Sequence, residues 1–314
     1  MQEYRLSRLF VATFIAIFGF LTFAISVSAA AQETVLTSFN GTDGYIPEGG
    51  LAFDASGNLY GTTFSGGAGN LGAVFELVRG AGGSWAESTL YSFCSATGCV
   101  DGTNPQGGLV LDKAGNLYGT TTTGGGHGFG TVFELVKESD GKWKEKVLHN
   151  FNFGASDGYY PLSSLIFDSA GNLYGTTQWG GAYNSGTVFR LTQTADHKWT
   201  KKNLHSFNNN GKDGVAPYAS LILDKAGNLY GTTTQGGASG TGCGGPGCGI
   251  VFELKPGASD KWTEKVLHSF MDNGKDGFKP WAGLVRDGSG NLFGTTNAGG
   301  SINAGCGNGG CGVV

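Results

Sequence analysis

One phrase recurs along the chain at near-constant spacing, and it constrains the fold more than any other feature. Gly57-Asn58-Leu59-Tyr60-Gly61-Thr62-Thr63 returns as residues 115–121, 171–177 and 227–233, and as 290–296 with Phe293 in place of Tyr. The steps are 58, 56, 56 and 63 residues. A fixed period of this size means a tandem array of one supersecondary unit. Glycine is 59 of 314 residues, a content that on its own would suggest a disordered tract. Leu, Val, Phe and Tyr nevertheless return on schedule in every unit, so each unit has apolar faces to bury.

The second unit shows the local structure. Leu109-Val110-Leu111 is a short apolar run before Asp112-Lys113-Ala114-Gly115-Asn116. That Asp-x-x-Gly-Asn reads as a hairpin turn, because Asp bonds the backbone ahead of it and Gly accepts positive φ. Residues 117–121 form a second strand, with Tyr and Thr suited to a pleated surface. A glycine-rich loop over 124–130 leads to a third strand at 131–135, and 143–151 is the fourth. No helical period of useful length follows residue 31. The fold class is therefore all-β, and four short antiparallel strands repeated in this way describe the blade of a β-propeller.

Residues 34–39 match the fourth strands at 146–151 and 265–270, while residues 312–314 match the start of a third strand. This offset predicts a propeller of five blades over 32–314, with the N-terminal strand closing the last blade. The alternative is a fragment of a longer array.

The N-terminal segment stands apart from the repeats. Arg5 and Arg8 precede an apolar run from Leu9 to Val27, followed by the small residues Ser28-Ala29-Ala30-Ala31. Residues 1–31 read as a secretory signal. The alternative is an uncleaved anchor helix, since about 20 apolar residues span a bilayer. Both place the repeats outside the cytoplasm, extracellular or in the cell envelope, with membrane contact only through that segment if it is uncleaved. The formal charge is −4, with 14% charged residues and no basic stripe, which excludes the electrostatic footprint of a nucleic-acid binder.

The six cysteines form three pairs of one spacing: Cys94 and Cys99, Cys243 and Cys248, Cys306 and Cys311. In an exported chain this reads as three local disulfides. No His accompanies any pair at zinc-ligand spacing, so no metal is assigned to them.

The motifs Asp-Gly-x-x-Pro, Gly-Asn-Leu-Tyr-Gly-Thr-Thr and Gly-Thr-Val-Phe-Glu-Leu together resemble the GloVer tandem repeat of exported bacterial proteins. That family is called choice-of-anchor for its various surface-sorting signals, and no such signal is read at this C-terminus. The resemblance covers residues 34 to 314. It implies an exported, propeller-like protein, and it brings no established activity, cofactor or catalytic residues.

Aligning the units separates scaffold from candidate site. The loop acids Asp43, Asp101, Asp157, Asp213 and Asp276 stand before Pro47, Pro105, Pro161, Pro217 and Pro280, and read as turn formers rather than as a ring of metal ligands. His149, His205 and His268 share one fourth-strand position with Thr37 and Tyr91, which suits packing better than acid–base work. Neither a nucleophile elbow nor a phosphate-binding or zinc-protease motif is present. What departs from the pattern is aromatic. Trp179 stands where other units carry Ser65, Thr123, Gln235 and Ala298. Trp281 stands where they carry Glu48, Gln106, Leu162 and Tyr218. With Tyr159 and Tyr160, these residues (Trp179, Trp281, Tyr218) predict a ligand face across units three to five for a glycan or an envelope protein. The expected function is therefore a non-catalytic binding repeat without a cofactor. The alternatives are a propeller-type lyase or glycosidase, for which Glu48 is the one off-pattern acid of the face, and a purely structural envelope protein.

Overall fold

A computed structural model describes residues 33–238, 243, 245–301 and 310–314. The signal-sequence reading of residues 1–31 therefore falls outside the described residues. No helix among the described residues is long and apolar enough to cross a membrane. The repeats lie in one unit, Leu36–Val314.

Three repeats form four-stranded antiparallel sheets with the strands in sequence order, and the fourth adds a fifth strand, Gly214–Pro217, paired with Leu229–Gly236. In unit two the strands are Val110–Leu111, Leu117–Thr121, Thr131–Lys137 and Trp143–Asn150. The first turn has the expected chemistry: Asp112 Oδ1 accepts from the backbone N–H of Ala114 and Asn116. In the fifth repeat the described ladders are the hairpin Val285–Arg286 with Leu292–Phe293 and the loop pair Gly277–Phe278 with Ala298–Gly299.

The core lies between units rather than within them. Alternate residues of each sheet point to opposite faces, so one unit contributes to two layers. Tyr60, Val74 and Phe93 of unit one meet Leu109, Leu117, Phe133 and Leu135 of unit two. Tyr118, Val132, Leu148 and Phe151 of unit two then meet Leu165, Leu173, Phe189 and Leu191 of unit three. The pattern returns between units three and four. In each layer the Phe that follows the fourth strand meets the third-strand Phe of the next unit edge-on: Phe93–Phe133 at 5.0 Å, Phe151–Phe189 at 5.3 Å, Phe207–Phe252 at 5.2 Å. Burial of one such ring stabilises by about 3 kcal/mol. The repeated Trp also packs across this boundary, with Trp143 against Tyr60 and Trp199 against Tyr118.

The N-terminal segment departs from expectation. Among the described residues, 34–39 join no strand ladder. Leu36 and Phe39 instead pack on the cluster of Leu59, Phe75 and Leu77 of unit one, as Trp85 does. The reason is visible in the rings: Phe39 meets Phe75 edge-on at 4.9 Å, as Phe93 meets Phe133. The segment keeps the side-chain role of a fourth strand without its hydrogen bonds.

Every third-to-fourth-strand ladder also carries an irregularity at one place, between Val74/Phe75, Val132/Phe133, Val188/Phe189 and Val251/Phe252. In unit two Val132 pairs His149 while Phe133 pairs Val147, so Leu148 is the extra residue. Such a bulge re-aims the side chains beyond it.

Candidate functional site

The bulge aims the shared fourth-strand residue at the acid of the following loop. His149 Nε2 lies 3.1 Å from Asp157 Oδ2, His205 Nε2 3.1 Å from Asp213 Oδ2, and His268 Nε2 3.0 Å from Asp276 Oδ2. In unit one the Tyr91 hydroxyl donates to Asp101 at 2.8 Å. The same acids accept backbone N–H groups, as Asp157 does from Asn152 and Gly158. These acids are the fixed points of the loops, in keeping with the turn reading. Sequence reasoning missed the His–Asp partnership, although the constant spacing of eight residues in three units was its signal.

A second acid layer was also missed. The third residue of each fourth strand (Glu87, Glu145, Lys201 or Glu264) faces the loop acid of the junction before its own unit. Burial and then Asp101 push the Glu145 carboxyl up to about 8. Burial and then Asp213 push Glu264 up to about 7, and burial and then Asp43 raise Glu87. In unit three the position is Lys201, whose Nζ lies 2.6 Å from Asp157.

At the open end, the loops before the first strands and after the second strands pair. Tyr159 and Trp179 are cross-strand partners, as are Gly158 and Gly180. Tyr159 meets Tyr160 edge-on at 5.0 Å and donates its hydroxyl to Asn184 Oδ1 at 3.0 Å. Phe129 and Phe153 each stand 5.5 Å from the Tyr159 ring. These six residues line an open cavity of about 570 Å³. Phe129 and Phe153 escaped the sequence reading, although both are off-pattern loop aromatics, the same signal that singled out Trp179. Tyr160 has φ +56°, but so do its equivalents within a few degrees, Ile46 at +59° and Lys279 at +55°. The left-handed turn before each Pro thus belongs to the repeat and not to this pocket.

Tyr218 and Trp281 lie elsewhere. Their rings stack at 6.0 Å and 26°. The Gln106 side-chain amide donates to the Tyr218 hydroxyl at 2.5 Å. Burial, and then Glu48, raises the Tyr218 phenol above its ordinary value. All five units meet here, with Glu48, Gln106, Leu162, Tyr218 and Trp281 around a cavity of about 410 Å³. The predicted five residues thus fall into two groups. Tyr159, Tyr160 and Trp179 belong to unit three and share a cavity with Phe129 and Phe153 of unit two, while Tyr218 and Trp281 lie at the mouth where all units converge.

Cys94–Cys99 and Cys243–Cys248 are disulfides, as expected. Of the third pair, Cys311 is disulfide-bonded and Cys306 lies outside the described residues.

No curated protein matches the chain. Among solved structures, it is similar to a putative oxidoreductase (glucose dehydrogenase) from Thermus thermophilus. That likeness has 13% identity and a TM-score of 0.34, and covers 83% of this chain and 95% of the other. A likeness of that size implies nothing about activity. The model of the Gloeobacter/Verrucomicrobia repeat matches residues 21–243 and 140–306. With its motifs recurring in order along the chain and the sheets of its first four units repeating one strand pattern, the chain belongs to the Gloeobacter/Verrucomicrobia repeat family.

Proposed function

We propose that this is an exported, non-catalytic repeat protein that binds a glycan through the cavity of Trp179, Tyr159, Tyr160, Phe129 and Phe153. The carrying observation is that five aromatic rings from three separate stretches of the chain converge on one open cavity. Planar rings held against one another present apolar faces to a sugar and lose little entropy on binding. Among the described residues no acid lines this cavity, whereas glycoside hydrolysis needs two carboxylates about the scissile bond. Export is supported by the local disulfides and by the layout of residues 1–31. A glycan array followed by calorimetry tests the reading. Trp179→Ala and Phe129→Ala should weaken the captured glycan about 10- to 100-fold with the fold intact. Equal binding by both variants would overturn it.

The finer architecture is a ring of five blades closed by the N-terminal segment. The seat of Phe39 on Phe75 supports it. The final contact would bring Phe53 to Phe293, by analogy with Phe167 on Tyr118 at 5.1 Å. Here Phe53 and Phe293 are 67% and 50% exposed. A Phe53→Cys, Phe293→Cys pair should cross-link in solution if the ring closes, and stay reduced if the array is open.

A further inference from the structure

The position occupied by Lys201 in unit three holds a glutamate in both neighbouring units, Glu145 and Glu264. In unit three an ammonium sits against the loop acid, with its side chain 5% exposed. In unit four the same strand position is Glu264, so the place held by a cation in unit three holds a second carboxylate. Glu264 Oε1 is shielded from solvent and has no hydrogen-bond partner. His205 stands beside it, and the ligand atoms of His205, Asp213 and Glu264 lie within 4.8 Å of one another. Among the described residues this is the one such group of three. Unit two differs at the third corner. It has Glu145 and Asp101, but Tyr91 replaces the imidazole, and the tyrosine hydroxyl donates to the acid.

We propose that His205, Asp213 and Glu264 form a binding site for a divalent transition metal of the zinc class. One imidazole nitrogen and two carboxylates are a donor set suited to zinc. Tetrahedral bonds of about 2.0 Å place neighbouring ligand atoms about 3.3 Å apart. The separation of 3.1 Å between His205 Nε2 and Asp213 Oδ2 is already close to that. Asp213 is held by the backbone N–H groups of Asn208 and Gly214, at 2.9 and 2.6 Å, which orient it before any ion arrives. Phe207 packs against the His205 ring at 4.7 Å and limits its rotation. A metal here would supply the positive charge that Lys201 supplies one unit earlier, tying the fourth strand of unit four to the loop before it.

The repeat offers two substitutions with precedents in its own units. Glu264→Lys installs the residue found at 201, and His205→Tyr installs the residue found at 91. Metal-stripped protein is titrated with Zn²⁺ alone by calorimetry, with Ca²⁺ as the comparison ion and circular dichroism as the check of fold. We expect one saturable Zn²⁺ site, a melting temperature that rises with Zn²⁺, and no comparable Ca²⁺ site. Each substitution should weaken Zn²⁺ binding at least about 100-fold. His149→Tyr, at the Lys201-filled position, should leave it unchanged. The proposal is overturned if the wild-type protein shows no saturable Zn²⁺ binding up to about a millimolar, or if Glu264→Lys folds and binds Zn²⁺ as before.

Discussion

Lys201 Nζ lies 2.6 Å from Asp157 Oδ1, with the lysine side chain 5% and the aspartate side chain 15% exposed. The ammonium also stands 5.6 Å from the ring centres of Phe151 and Phe189, on the two sides of the layer between units two and three. One charge thus touches the loop acid and both halves of a core layer. Burial lowers the Lys201 pKa, opposed by Asp157, while His149 and Lys201 together hold the Asp157 carboxyl below its ordinary value against the cost of burial.

Removing the ammonium leaves a shielded carboxylate with His149 as its one side-chain partner. Lys201→Met should therefore cost about 3 kcal/mol, the scale for breaking a buried pair from one side. The sign with pH follows from Asp157. Its folded pKa is depressed, so its contribution is present above the unfolded value near 4 and is lost as pH falls through the folded value. Lys201→Met should lose part of that acid dependence. Urea midpoints between about pH 3 and pH 7 check it; a variant as stable as the parent throughout would refute the assignment.

Glu145 predicts the opposite slope. Its folded pKa, about 8, lies above the unfolded value, so the folded state holds a proton that the unfolded chain has released. Stability from this group should fall as pH rises from the unfolded value near 4.3 through about 8. Glu145→Gln keeps the shape and removes the charge. It should be more stable than the parent at pH 8 by about 1 kcal/mol, a figure reduced because the side chain is partly exposed. At about pH 4 the two should be alike. Parallel stability curves across that range would show that Glu145 does not titrate as argued.

A third prediction concerns the glycine inside the second strand. A Cβ on Gly119 would lie 2.6 Å from Phe133 Cζ and 2.9 Å from Leu109 Cδ2. The same ring-over-glycine contact occurs at Gly61, Gly175 and Gly231. Gly119→Ala should destabilise by about 1–3 kcal/mol through overpacking, although alanine is otherwise acceptable in a strand. Gly119→Ala with Phe133→Leu should recover part of that loss. If the single variant melts like the parent, the ring is not held by the glycine.

The repeat, the hairpin turns and the strand order were legible because each rests on local chemistry within a few residues. Asp112 with Gly115 specifies a turn whatever surrounds it. The layers between units were partly legible, since Phe133 and Leu135 alternate with Glu134 at the period of two. The acid layer was hidden. Glu145 and Asp101 are 44 residues apart, and their meeting depends on how one sheet stacks on the next. The aromatic face was half visible. Departure from the repeat marked Trp179 and Trp281 as unusual, but only the pairing of loops shows that one joins Phe129 while the other joins Tyr218.

That division yields the last prediction. Gln178 and Trp179 are neighbours in sequence, yet Trp179 lines the cavity with Tyr159, and Gln178 lines a different one with Tyr218 and Trp281. The two side chains leave this stretch toward different cavities, so a ligand in one is separated from the other by the backbone that carries them. Trp281 is 52% exposed and its stack on Tyr218 is a surface contact, so Trp281→Ala should leave the fold intact. A glycan held by Trp179 should lose about 1–3 kcal/mol of binding on Trp179→Ala and less than about 0.5 kcal/mol on Trp281→Ala, with the two effects additive in the double variant. Calorimetry on the four proteins decides it. Strong coupling between the two tryptophans would mean one ligand spanning both cavities, and the face would then be a single site.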